Sequence, residues 1–255
     1  MLSIIIPTRN NFMMLRDCLY RVDIYTPRAE VILIDNASFD ETPTFERMVD
    51  VYVRNKKNQS FSKSINQGIK RAKGEYICFL NDDILVTEGW HKSLLRTLKN
   101  KDVGIASPLI LYPNGLIQFA GGVFNRINEV AHAWEGKNPL DKDIAEKLKI
   151  PREVAMVTFA CVITRKEIIN EVGLLDENFW YGVEDWDYSL RVREKGYKLI
   201  NNADSIVYHY HQATRKRYKS EDKNTKNRFY FRSKWSKKNY LFHLEGEKDK
   251  WYILK

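Results

Sequence analysis

Two adjacent carboxylates, Asp82 and Asp83, follow directly on the apolar run Tyr76–Leu80. Side by side at the end of a buried segment, they repel unless a cation or hydrogen-bond donors compensate. Hard oxygen ligands in such a position suit Mg2+ or Mn2+, ions that take one or two protein carboxylates and complete their shells elsewhere. A solvated acidic turn ahead of Glu88-Gly89 is the alternative that the pair alone leaves open. A second acidic group, Glu184, Asp185 and Asp187, falls at the start of a helical stretch running from Trp186. Carboxylates there stabilise a helix N-terminus by about 0.3–1 kcal/mol each, and that is the reading adopted for Asp187. His209 and His211 follow the short strand-like run Ser205–Tyr208. Neutral imidazole is a reasonable ligand for Mn2+ and a poor one for Mg2+; a paired surface histidine is the alternative for each.

The elements that must position these groups are legible in outline. Leu2–Ile6 is nearly all apolar and ends at Pro7, the pattern of a strand buried on both faces. Glu30–Ile34, Val49–Arg54 and Tyr76–Leu80 repeat the pattern. Between them lie Leu15, Leu19 and Val22 at helical spacing after Asn10 or Asn11, and a helix through Ile65 and Ile69, capped by Ser60 or Ser62 and closed by Gly74. Such alternation predicts right-handed crossovers and a mostly parallel sheet, an α/β fold. Ligands of open α/β sheets sit beyond the carboxyl ends of the strands. There the sequence has Pro7-Thr8-Arg9-Asn10, Asp35-Asn36 and Asn81 to Asp83, expected to converge on one crevice. In the second half, Val103–Leu111, Ile117–Phe124 and Val154–Thr164 read as strands. Arg165–Val172 and Trp186–Lys195 read as helices, the latter closed by Gly196. Without a linker or repeat, residues 1–211 form one expected domain with halves 1–102 and 103–211, followed by an appendage at 212–255.

The segments SIIIPTRNN, VILIDNASFDET and NQSFSKSINQGIKRAKGEYICFLNDDILV together resemble the nucleotide-binding half of family 2 glycosyltransferases. The segment VTFACVITRKEIINEVGLLDENFWYGVEDWDYSLRVREKGYKLI resembles their acceptor-side half, and the likeness runs in order from about Leu2 to His211. It implies a GT-A fold, with a Rossmann-like central sheet between helices, and inverting, metal-dependent sugar transfer from a nucleotide-sugar, UDP- or dTDP-sugars being favoured. It further implies that Pro7, Thr8 and Asn10 line the nucleoside, that Asp35 meets the base or ribose, and that Asn58, Asn66 and Gly68 lie beside the donor. Asn81 and Asp83 match the outer members of an Asp-any-Asp motif, with Asn81 and Asp82 toward the donor and Asp83 the direct ligand of Mn2+ or Mg2+. His209 matches a further metal ligand, and His211 could sit over the donor phosphates. Glu184 and Asp185 match a catalytic Glu-Asp pair, with Asp185 as general base. Trp180 and Tyr181 could stack on an acceptor sugar; core packing is the alternative. Ser60 and Phe159 depart from the family pattern, which has small residues there. Phe159 is therefore expected to reshape the pocket floor.

The competing enzyme reading, a sugar nucleotidyltransferase, wants a glycine-rich loop after the first strand, and PTRNNFMML has no glycine. A catalytically inactive sugar- or nucleic-acid-binding module is the alternative from another class. The chain carries a net charge of +9, most of it between Arg215 and Lys238. This points to an anionic partner, whether a membrane surface, a lipid-linked acceptor or nucleic acid, or to a solvated face. Arg215 and Lys216 could reach the donor diphosphate. Phe229, Phe231 and Trp235 could serve a membrane helix or pack back on the domain. No run approaches the roughly 18–20 apolar residues that span a bilayer. The expected location is the cytoplasm or the inner face of its membrane, and the scattered Cys18, Cys78 and Cys161 read as free buried thiols suited to that compartment.

Overall fold

The computed structural model describes residues 1–124, 130–210 and 221–235. His211, Arg215, Lys216 and everything after Trp235 lie outside the described residues.

Strand β1 (Leu2–Thr8) leads through α1 (Phe12–Tyr25) to β2 (Glu30–Asp35), and a 3-10 turn (Thr42–Met48) leads on to β3 (Val51–Arg54). Helix α2 (Phe61–Ile69) then returns the chain to β4 (Tyr76–Leu80). The four strands are parallel, in the spatial order β4-β1-β2-β3. Their unbroken apolar runs follow from burial on both faces. Ile4 and Ile6 of β1 pack with Leu15, Leu19 and Val22 of α1, while Ile5 points the other way, to Ile65 and Ile69 of α2. Where α2 crosses β1, a Cβ on Gly68 would overlap the side chain of Ile5. The glycine sets that close approach.

Beyond β4 come β5 (Ile84–Val86), α3 (Trp90–Thr97), β6 (Val103–Leu111), β7 (Ile117–Phe119), β8 (Gly122–Phe124) and β9 (Val130–His132). They are followed by α4 (Lys142–Leu148), β10 (Arg152–Glu153), β11 (Cys161–Arg165), α5 (Lys166–Val172), α6 (Glu184–Glu194), β12 (Lys198–His209) and α7 (Glu221–Trp235). Strand β11 pairs antiparallel with β4, and β6, β12 and β10 continue the sheet outward, giving ten strands in all once β5 and β7 are included. Helices α1 and α3 cover one face; α2, α5 and α6 cover the other.

The structure departs from four expectations. The apolar run from Val154 pairs as a strand only from Cys161. Val154 to Val157 and Phe159 are buried without forming one strand, because buried irregular chain is as apolar as a strand. The expected strand Ile117–Phe124 breaks in two at Ala120-Gly121, where Gly121 has φ 105. Helix α2 stops at Ile69 rather than at Gly74; Gly74 instead lies against β1, its N–H donating to Ser3 Oγ at 2.8 Å. The short run before His209 is the end of a strand of 12 residues. Its polar middle escaped notice because Asn201 and Asn202 are buried with their amides bonded to Pro108 O and Thr97 Oγ1.

Candidate active site

Register brings the polar clusters together. Thr8 of β1 lies opposite Asp35 of β2. Asn81, just past β4, donates its N–H to Ala160 O at 2.9 Å, immediately before β11. His209 pairs with Ile84 of β5, one residue beyond Asp83. The turn after β4 is therefore flanked by the β1–α1 loop, the 157–160 segment and the end of β12.

Asp82 and Asp83 are both buried, and they face different partners. Asp82 accepts hydrogen bonds from Thr8 Oγ1 at 2.6 Å and from Asn11 Nδ2 at 3.0 Å, and from the N–H of Arg9. It knots the β4 turn to the β1–α1 loop. Burial, then the charge of Asp83, pushes its carboxyl up to about 7. Asp83 Oδ1 lies 3.0 Å from His209 Nε2. On its far side the imidazole Nδ1 is 2.5 Å from Gln118 Oε1, and Gln118 Nε2 lies 3.4 Å from the His209 carbonyl. Since an amide oxygen only accepts, Nδ1 carries the proton and the Nε2 position is turned to Asp83. Gln118 was not foreseen. A glutamine inside the apolar run IQFA, buried and needing a partner, was the available signal.

The donor-side residues divide by what their side chains hold. Asn10 adopts φ 50, and its Oδ1 accepts from the Phe39 N–H at 2.8 Å while its own N–H donates to Ser38 Oγ. Asp35 is fully buried: Oδ1 accepts from the Ser38 N–H and Oδ2 from Tyr52 Oη, each at 2.8 Å, with Arg54 Nε at 3.5 Å. It thus shapes the wall of an open depression of about 350 Å³ lined by Ala37, Ser38, Arg54, Asn55 and Lys56, past the carboxyl ends of β2 and β3. Pro7 is half-buried on β1, and Asn58 and Asn81 are half-buried in their loops. Asn66 and Gly68 face elsewhere. The Asn66 amide donates to Leu175 O and Glu177 Oε1 and accepts from the Leu175 N–H, and Gly68 is packed on Ile5. Both join elements rather than line the crevice.

Glu184 and Asp185 open α6 behind Val183, which has φ 75. A β-branched residue rarely takes that left-handed conformation, so its surroundings must hold it there. Burial pushes the half-buried Asp185 carboxyl up to about 6, against hydrogen bonds from the N–H groups of Trp186 and Phe159 and from the Thr158 side chain. Thr158, unforeseen, thus ties Asp185 to the segment that abuts Asn81. The Phe159 ring, by contrast, is buried against Phe79 and Tyr188, with centroids 5.1 and 5.8 Å away, so it does not reshape a pocket floor. Asp187 lies in the first turn of α6, as expected of a carboxylate at a helix N-terminus, and it accepts from Arg191 Nε at 3.0 Å, Lys234 Nζ at 2.8 Å and Trp235 Nε1 at 3.0 Å. Trp180 and Tyr181 stand 39% and 37% exposed. Of the tail aromatics, Phe231 and Trp235 are buried on the domain, whereas Phe229 is exposed.

A half-parallel sheet carrying carboxylates, amides and an imidazole at one carboxyl edge defines a GT-A fold. Among solved structures, GalNAc-T7 with UDP, GalNAc and Mn2+ superposes over 96% of this chain and 52% of its own, with a TM-score of 0.72 at 20% identity. The mannosyltransferase PcManGT from Pyrobaculum calidifontis, in complex with GDP-Man and Mn2+, covers 84% of this chain and 57% of its own, with a TM-score of 0.63 at 16% identity. The chain belongs to glycosyl transferase family 2, which residues 3–173 match. The O-antigen biosynthesis protein RfbC of Myxococcus xanthus is 30% identical over 84% of this chain and 18% of its own length. Protein y4gI of Sinorhizobium fredii is 27% identical over 84% of this chain and 25% of its own. The chain thus spans a quarter or less of those two relatives.

Proposed function

We propose that this chain transfers a glycosyl group from a nucleoside-diphosphate sugar, UDP- or dTDP-linked, to a hydroxyl of a saccharide or lipid-linked acceptor, with inversion at the anomeric carbon. Family membership supports the class of reaction. The single observation that carries the mechanism is the Asp185 carboxylate. It is raised to about 6 and held by Thr158 and Phe159 on the segment bonded to Asn81, two residues ahead of Asp83. In this reading the acceptor hydroxyl gives its proton to Asp185 as its oxygen bonds to the anomeric carbon. The bond from that carbon to the diphosphate breaks on the opposite side, and its electron pair leaves with the nucleoside diphosphate. A base poised near neutrality suits this step.

Asp83 and His209 are the residues that would hold Mn2+ or Mg2+. One carboxylate oxygen and one imidazole nitrogen lie 3.0 Å apart, and Gln118 fixes the imidazole tautomer. Among the described residues no cluster of three or more such ligands occurs. The pair fits an ion that draws the rest of its shell from phosphates and water. The imidazole favours Mn2+ of the two. When bound, the ion would offset charge developing on the departing diphosphate. The depression beside Ser38 and Arg54 offers a nucleoside subsite, and Trp180 and Tyr181 an aromatic face for an acceptor sugar. The name of the relative RfbC supports glycan assembly as the setting.

The test is Asp185→Asn in the full chain. Transfer should fall by about 10² or more. Binding of the nucleoside diphosphate, measured by calorimetry with Mn2+, should change by less than about threefold, as for loss of a group acting only in the transition state. Glu184→Gln should be milder. Full turnover in both variants would end the mechanism.

A further inference from the structure

The loop ahead of Asp185 is held from outside the residues that match the family. Asn227 of α7 is buried, and its amide grips backbone groups of three successive residues. Oδ1 lies 3.4 Å from the Trp180 N–H, and Nδ2 donates to Tyr181 O at 3.0 Å and to Gly182 O at 2.8 Å. The same loop is tied at its other side by the Phe61 N–H, which donates to Trp180 O at 3.1 Å. Where the grip ends, just before α6, stand Gly182 with φ 83 and Val183 with φ 75, two consecutive left-handed residues. Such a turn persists only where its neighbours fix it. Helix α7 is anchored to do so. Phe231 and Trp235 are buried with Phe179, Val183 and Leu190, and Lys234 Nζ reaches Asp176 at 2.6 Å and Asp187 at 2.8 Å. Tyr230 Oη adds a bond of 3.0 Å to Asp176.

We propose that Asn227 is a positioning residue for the acceptor side: it holds the Trp180–Gly182 backbone in the turn that aims α6, and with it Asp185, while presenting the two exposed aromatics. An asparagine suits the task because one planar amide both accepts and donates, and no other uncharged side chain of that length offers both. The reach of α7 thus brings the C-terminal segment into acceptor handling, opposite the tie from Phe61 in the nucleotide-binding half. The inference rests on the assignment of Asp185 as base, and the test separates the two.

Asn227→Ala and Asn227→Asp are made in the full chain; the second keeps the acceptor for the Trp180 N–H and removes the donor to Tyr181 and Gly182. Hydrogen exchange of the amides at 182–187, Mn2+-dependent UDP affinity, and the slow release of UDP from a panel of UDP-hexoses and UDP-N-acetylhexosamines with water as acceptor are compared with the parent chain. Exchange should quicken about tenfold with the loss of these hydrogen bonds. UDP release should slow about tenfold or more from misplacement of the base, with UDP affinity held within about twofold, as for a defect confined to the transition state. Unchanged exchange in both variants overturns the proposal. So does a fall in UDP affinity that matches the fall in release, which would mark a general loss of structure. Asp185→Asn is run beside them: if it leaves UDP release intact, the base assignment fails, and the exchange data still decide the role of Asn227.

Discussion

Asp82 and Asp83 are neighbours in sequence with opposite surroundings, and the difference sorts their roles. Asp82 has hydrogen-bond donors on both oxygens, whereas Asp83 faces the imidazole that Gln118 orients. Removing Gln118 should leave His209 free to turn or to take its proton on the other nitrogen. Gln118→Ala is expected to weaken Mn2+ binding in the presence of UDP by about 10- to 100-fold, the usual effect of losing an outer partner of a ligating histidine. Gln118→Glu, which keeps an accepting oxygen, should retain most of it. Calorimetric titration of Mn2+ measures both, and equal affinity across the three proteins would remove Gln118 from the site. Asp185 gives a prediction in pH. A base must be deprotonated to accept a proton, and burial sets this carboxyl at about 6. The rate of transfer should therefore rise with pH through about 6 and level off above it. A kcat profile flat between about pH 5 and 8 would show that no group with this titration is the base.

At the scale of elements, Gly68 lets α2 lie close on β1, and Asn66 ties α2 to the loop at Leu175 and Glu177. Gly68→Ala places a methyl group against Ile5. The cost of such overpacking is about 1–3 kcal/mol. Urea unfolding should report it as a lower midpoint while UDP affinity stays near that of the parent; loss of affinity without loss of stability would return Gly68 to the donor site. The same distinction marks what the sequence made readable. β1, β2 and β4 were plain because burial on both faces leaves unbroken apolar runs, and the polar residues after them had to meet at one edge. Val154 to Ala160 misled because burial, not strand pairing, makes a segment apolar. β12 hid its first half because Asn201 and Asn202 bond to β6 and α3 rather than to water. Thr158, Gln118 and Asn227 act through partners 27, 91 and 45 to 47 residues away in the chain, pairings that no local pattern records.

At the scale of the whole molecule, charge and burial together decide how the C-terminal segment can meet a membrane. Residues 212–255 hold 14 Lys and Arg against five Asp and Glu, a balance of +9, which equals the net charge of the chain and leaves residues 1–211 neutral. In α7 the aromatic face is already occupied, with Phe231 and Trp235 buried on the domain. Lys226, Arg228, Arg232 and the 77% exposed Phe229 point outward. A helix arranged in this way has no apolar face left to sink into acyl chains, as an interfacial amphipathic helix does. Its contribution to membrane association would be charge attraction, about 1 kcal/mol for each basic group close to an anionic surface. Such attraction is screened over about 10 Å at 0.1 M salt and about 3 Å at 1 M. The full chain is therefore expected to sediment with vesicles rich in phosphatidylserine at low ionic strength and to be released by salt, to ignore phosphatidylcholine vesicles, and to keep the fluorescence maximum of Trp235 unchanged on binding. Binding that survives high salt, or a blue shift of that maximum, would mean that α7 leaves the domain and inserts. In that event the grip of Asn227 on the acceptor loop would be released wherever the protein met its membrane.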